Sequence, residues 1–298
     1  MASHPACEQE ERTMNSTAEI RSGIGDWQFF DRPLEAVHAA AKEWKSMLRG
    51  VEKPWLVWHV QQPWTRLQVN LVKKLGWTPI VGYDPDCGDN NLPDIQDAIF
   101  INFNQSFGFK KMYMHFPLEF AFLWTSRIAF WHSDLLVRMP LLTSTARKFE
   151  SIPDGEMAAV PLRGTGIRDY FRYSRHRMWE LIGMTTAGAS EDQFRTGTGW
   201  WKHFWYHPNC PSTAERARRN KCFYDHGSGI MYWHRRYGGV VHRLENRVFK
   251  EGHFSSFNTP GYQKLPRPEG RKMLGKQLEL NFNLEVLAKG LGLDEYLT

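Results

Sequence analysis

His132, Ser133 and Asp134 follow an apolar run at 128 to 131, Ile-Ala-Phe-Trp, and precede a second one, Leu-Leu-Val, at 135 to 137. The first run has the length and composition of a buried strand. An imidazole and a carboxylate two residues apart at the end of such a strand are costly to desolvate unless something cationic sits between them. The pattern points to a metal or polar-substrate site at the carboxyl edge of a sheet, with His132 and Asp134 as its first residues.

Other clusters carry chemistry of a different kind. Arg163, Arg168, Arg172, Arg175 and Arg177 crowd beside Tyr170, Phe171 and Tyr173 at spacings of 5, 4, 3 and 2, which trace no single helical stripe. They fit either a solvated helix face or contacts to an anionic ligand. The run at 200 to 207, Trp-Trp-Lys-His-Phe-Trp-Tyr-His, is aromatic and basic, and Arg216, Arg218, Arg219 and Lys221 form a further basic cluster. His203, His207, Cys210, Cys222 and His226 are zinc-type ligands, but no Cys-x2-Cys knuckle is present and aromatic packing with two free thiols is the plainer reading. Gly227, Ser228 and Gly229 are read as a turn running into a strand at 230 to 233, a poor phosphate cradle.

The elements that must position these residues follow from periodicity. Leu34, Val37, Ala41, Trp44 and Leu48 recur at helical spacing before Gly50. Residues 55 to 60 form a continuous apolar run between Pro54 and Pro63, as a central parallel strand does. A helix over 64 to 75 and an extended segment over 78 to 83 complete a strand-helix-strand unit, so an α/β sheet is the expected class. Residues 84 to 97 read as loop. A helix is predicted over 110 to 124, with Lys110, Lys111 and His115 toward its start and so toward the same sheet edge. A short helix to Phe149, strands near 157 to 161 and 248 to 254, and a helix over 275 to 293 complete the pattern.

Residues 1 to 25 bury no face and read as a disordered arm, leaving 26 to 298 as one domain with a C-terminal helix. Hydrophobic content of 42% and charged content of 23% are ordinary for a globular chain, whereas 13 Trp, 19 Phe and 10 Tyr are a heavy aromatic load suited to a core or to stacking on sugars and bases. The net charge of +6 favours anionic partners. Cys7, Cys87, Cys210 and Cys222 are too scattered for a disulfide framework. No apolar run reaches the roughly 18 residues of a membrane span and no signal-peptide core is seen, so a soluble cytoplasmic protein is expected.

The order of elements resembles the nucleotide-sugar glycosyltransferases of the A-type fold, a single Rossmann-like domain with a mixed, mostly parallel sheet flanked by helices. In that family a buried strand ends in an Asp-x-Asp motif that binds a divalent metal and the diphosphate of the sugar nucleotide. The segment 130 to 137, Phe-Trp-His-Ser-Asp-Leu-Leu-Val, is similar to it, with His132 in place of the first aspartate. Gly227 to Met231 is similar to the strand that lines the acceptor side, and His253 lies where a late histidine completes the metal shell. The resemblance spans roughly 54 to 257.

It implies Mn²⁺ or Mg²⁺ on His132, Asp134 and His253 and a nucleotide sugar as donor. Lys110, Lys111, Arg163 and Arg168 are the accompanying candidates for its phosphates, and the acceptor is open. An inverting enzyme also needs a general base, for which Asp225 and Glu156 are candidates by position. Two other readings stand beside this one: a nucleic-acid-binding protein built on the basic aromatic segments, and a carbohydrate-binding relative without turnover.

Overall fold

The buried strand read at 54 to 60 is β1 (Pro54–Trp58), inaccessible along its whole length and therefore without polar alternation. The computed structural model describes residues 34–85, 92–108, 112, 114–163, 176–200, 227–250, 252–254 and 283–298. The expected strand-helix-strand unit continues through α2 (Gln62–Lys74) into β2 (Thr78–Tyr83), which pairs parallel with β1 in the register Leu56 to Ile80. Ahead of it lies α1 (Leu34–Met47). On the far side, β4 (Arg127–Trp131) pairs parallel with β1, Leu56 opposite Phe130.

Among the described residues seven strands share one sheet in the order β3-β2-β1-β4-β6-β5-β7. The remaining ones are β3 (Ile99–Asn102), β5 (Glu156–Arg163), β6 (His176–Thr186) and β7 (Val240–Arg243). Only β6 runs against its neighbours, β4 and β5. The class is therefore α/β with a mixed, mostly parallel sheet, compatible with a Rossmann-like arrangement. Helices cover both faces. Val37, Ala41 and Trp44 of α1 pack with Leu56, Ile80 and Phe130 on one face. Trp64, Leu67 and Leu71 of α2, and Leu142 and Phe149 of α5 (Met139–Glu150), pack with Trp55, Val57 and Trp131 on the other.

The tryptophans among the described residues are core. Trp55 meets Trp131 at 5.2 Å and Trp77 at 5.3 Å between ring centroids, both edge-on. Trp200, first of the aromatic run at 200 to 207, is fully buried against Phe130 at 5.1 Å. Among the described residues no helix is long and apolar enough to cross a membrane.

Several elements differ from the sequence expectation. From residue 114 on, the predicted helix over 110 to 124 is two short ones, α3 (His115–Glu119) and α4 (Ala121–Trp124), divided where Phe120 leaves helical geometry. The expected strand at 230 to 233 lies inside a helix, α7 (Ser228–Arg236), which follows α6 (Ala187–Arg195) among the described helices. Its run Ile230 to Trp233 is buried throughout, and an apolar run without polar gaps fits a buried helix as well as a strand. The extended segment expected at 248 to 254 begins as α8 (Asn246–Lys250) and reduces to one bridge, between His253 and Leu135. The C-terminal helix is α9 (Leu284–Leu291); its expected start at 275, and the arm at 1 to 25, lie outside the described residues.

Candidate metal centre

β4 ends at Trp131 in the middle of the sheet, and the chain turns immediately beyond it. The His132 amide donates to Leu181 O of β6 at 2.8 Å, and the Leu135 amide donates back to His132 O at 3.1 Å. Gln68, buried on α2, donates its Nε2 to both His132 O and Leu135 O at 2.9 Å. One amide thus pins both ends of the turn that carries Asp134.

A second segment is laid against this turn. Leu136 N donates to Gly252 O and Phe254 N donates to Asp134 O, each at 2.9 Å, on either side of the bridge between Leu135 and His253. That pairing brings His253 Nε2 to 3.2 Å from Asp134 Oδ1, while His132 Nδ1 lies 2.5 Å from the same oxygen. The two imidazoles are 5.4 Å apart and nearly perpendicular, and the Trp179 ring stands edge-on to His253 at 5.0 Å. The side chains of Asp134 and His253 are 7% and 8% exposed and that of His132 24%, so the cluster opens to solvent on the His132 side.

The charges follow from this packing. Burial by itself lowers the basicity of His132, but the Asp134 carboxylate against Nδ1, reinforced by Glu180, outweighs it and holds the imidazole up at about 9. Burial would likewise raise Asp134, and His132 first and His253 second reverse this, holding the carboxyl well below the usual range. Near neutrality the metal-free cluster is an imidazolium–carboxylate pair.

This sets an expected pH dependence of stability. His132 binds its proton more tightly folded than unfolded, so its contribution is complete below pH 6.5 and is lost as pH rises through about 9. Asp134 contributes above its ordinary value of 3.8 and loses that contribution on acidification below it. Both shifts describe one interaction, worth about 3 kcal/mol at most. Urea unfolding of metal-free protein should give greatest stability between about pH 4 and 6.5 for this pair, with a decline toward pH 9 that is absent in His132→Gln.

One nitrogen from each histidine and one Asp134 oxygen lie within 4.8 Å of one another, the one such group of three among the described residues. Two imidazoles and a carboxylate suit a divalent transition ion. His132 must give up its proton before its nitrogen can serve as a ligand.

A second polar pair flanks the cluster. His115, at the start of α3, places Nε2 3.6 Å from Oε1 of Glu180 on β6, and both are buried. Arg177, on the same strand, exerts a cationic field on His132. His115 was expected toward this sheet edge on its predicted helix, but Gln68, Trp179 and Glu180 were not singled out from sequence. A glutamine on the apolar face of a predicted helix is the one signal that marks any of them, since a buried amide needs partners.

Of the other sequence candidates, Glu156 opens β5 at the opposite, amino edge of the sheet, where its Oε2 lies 2.5 Å from His242 Nε2. It is not brought together with the cluster. Arg163 closes β5 opposite His176. Lys110, Lys111, Arg168 and Asp225, together with the zinc-type set at 203 to 226, lie outside the described residues. Gly227 caps α7 at φ 73°, and its backbone bonds Met178 N and Trp200 O at 3.0 Å, so the Gly-Ser-Gly segment starts a helix and does not supply a strand on the acceptor side.

Replacing Gln68 by leucine keeps the side chain's bulk but takes the side-chain donor from Leu135 O and leaves His132 O with the Leu135 amide alone. The expected cost is about 1–3 kcal/mol in urea unfolding, with weaker metal binding at Asp134. Compared with protein-family models and with curated proteins, the chain matches none.

Proposed function

We propose that the protein is a glycosyltransferase-like enzyme of the A-type fold that binds a nucleotide-diphosphate sugar at the carboxyl edge of its sheet. The observation that carries this reading is the convergence of His253, from far along the chain, on Asp134 and His132 at the end of a central strand. Those three residues would hold a divalent cation, Mn²⁺ or Mg²⁺, which when bound neutralises charge on the donor's diphosphate.

The chain's own groups support the rest of the chemistry. As the glycosidic bond breaks, the leaving nucleoside diphosphate gains charge, and cationic side chains near the site stabilise it. Arg177 is the described arginine whose field already reaches His132. The buried Trp179 and Leu181 of β6 back the cluster and keep water from its inner side.

Calorimetric titration with UDP, with and without Mn²⁺, tests the reading. UDP binding that requires the metal is the expected result, and hydrolysis of a UDP-sugar in the absence of acceptor would extend it to turnover. UDP and other nucleoside diphosphates that fail to bind at any Mn²⁺ concentration would remove it.

A further inference from the structure

The donor set at 132, 134 and 253 contains two imidazole nitrogens and a single carboxylate oxygen, and this composition decides which cation it suits. Mg²⁺ takes oxygen donors in a near-ideal octahedron and keeps several of its waters. Imidazole instead suits transition ions, with affinity rising from Mn²⁺ through Fe²⁺ and Co²⁺. We infer that the centre selects nitrogen-accepting transition ions and does not retain Mg²⁺. The inference rests on the metal centre proposed above and is independent of the nucleotide sugar.

Three features of the site support it. Asp134 Oδ1 is shared by both histidines, so a cation on that oxygen meets imidazole nitrogen on either side. No second carboxylate belongs to the group among the described residues, and the nearest one on β6, Glu180, is engaged with His115. Finally, the near-complete burial of Asp134 and His253, with Trp179 edge-on to the His253 ring, leaves room for retained water on the His132 side alone. A hydrated Mg²⁺, which dehydrates reluctantly, would have to shed water on its inner side and meet imidazole nitrogen there in place of oxygen.

The test is calorimetric titration of metal-stripped protein with Mg²⁺, Mn²⁺, Co²⁺ and Zn²⁺ in the absence of nucleotide, with the visible absorption of the Co²⁺ form reporting nitrogen ligation. Mn²⁺ should bind at least about tenfold more tightly than Mg²⁺, and Co²⁺ and Zn²⁺ more tightly again. His132→Asp, checked for folding by circular dichroism, should narrow the gap between Mn²⁺ and Mg²⁺ by exchanging a nitrogen for an oxygen donor. Equal affinity of the wild-type protein for Mg²⁺ and Mn²⁺ would overturn the inference, and if Mg²⁺ also supported UDP binding the glycosyltransferase reading would survive that failure. Wild-type protein that binds none of the four ions would overturn the inference and the metal centre together.

Discussion

Asp134→Ala is expected to abolish Mn²⁺-dependent UDP binding while leaving the protein folded. The carboxylate is the acceptor common to both histidines and the one anionic donor of the group. Without it only the two imidazoles remain as donors. Altering groups that merely support a ligand costs about 10–100-fold in metal affinity, so loss of the anionic ligand itself should cost at least about 100-fold. The effect on stability is smaller, because His132 is not left as a stranded cation. It sheds its proton once the charge that raised its basicity is gone. A loss of about 1–3 kcal/mol is expected near pH 8 in urea unfolding, from the hydrogen bonds removed. At pH 5.5 the loss should be larger, since there the unfolded chain takes up a proton that the folded variant resists. A folded variant that still binds UDP in a Mn²⁺-dependent way would show that the cation lies elsewhere.

How much of this was legible depends on whether the signal was local. β1, α2, β2 and β4 announce themselves because each buried run is closed by proline, glycine or a polar turn, and the strand-helix-strand order leaves few topologies. β6 gives no such signal. Its apolar stretch is interrupted by Glu180 and Gly183, one engaged with His115 and the other pressed between Phe130 and the Ala158 carbonyl, and its register with β5 shifts at Ala159 and Val160. Those are demands of tertiary packing on a central strand, and they break the pattern by which a strand is recognised.

The site divides in the same way. His132 and Asp134 stand out because polar residues at the end of an apolar run are locally anomalous. His253 follows from the resemblance alone, because its neighbours 248 to 250 are helical and, among the described residues, its strand-like pairing is a single bridge to Leu135. Glu156 illustrates the converse. A carboxylate before a strand is a sensible candidate base in sequence, but β5 runs in the same direction as β4, with β6 between them, so its start lies at the edge of the sheet opposite to the one where the β4 site residues emerge.

Gly252→Ala separates the assembly of the centre from its donors. A methyl group at 252 would collide with the carbonyl oxygen of Leu136, a backbone atom with no rotamer to escape into. The pairing that holds Leu136 N to Gly252 O, and with it the bridge from Leu135 to His253, must therefore open. Every ligand is still present, but His253 is no longer held against Asp134. The expected cost is about 1–3 kcal/mol in stability, as for overpacking elsewhere, and about 10–100-fold in metal affinity, as for loss of a supporting shell. The contrast with Asp134→Ala lies in rescue. Raising the Mn²⁺ concentration should restore UDP binding to Gly252→Ala, whose donors can be drawn back together by the ion, and should not restore it to Asp134→Ala. Wild-type metal affinity in Gly252→Ala would mean that His253 is not a ligand, reducing the centre to the pair at the end of β4.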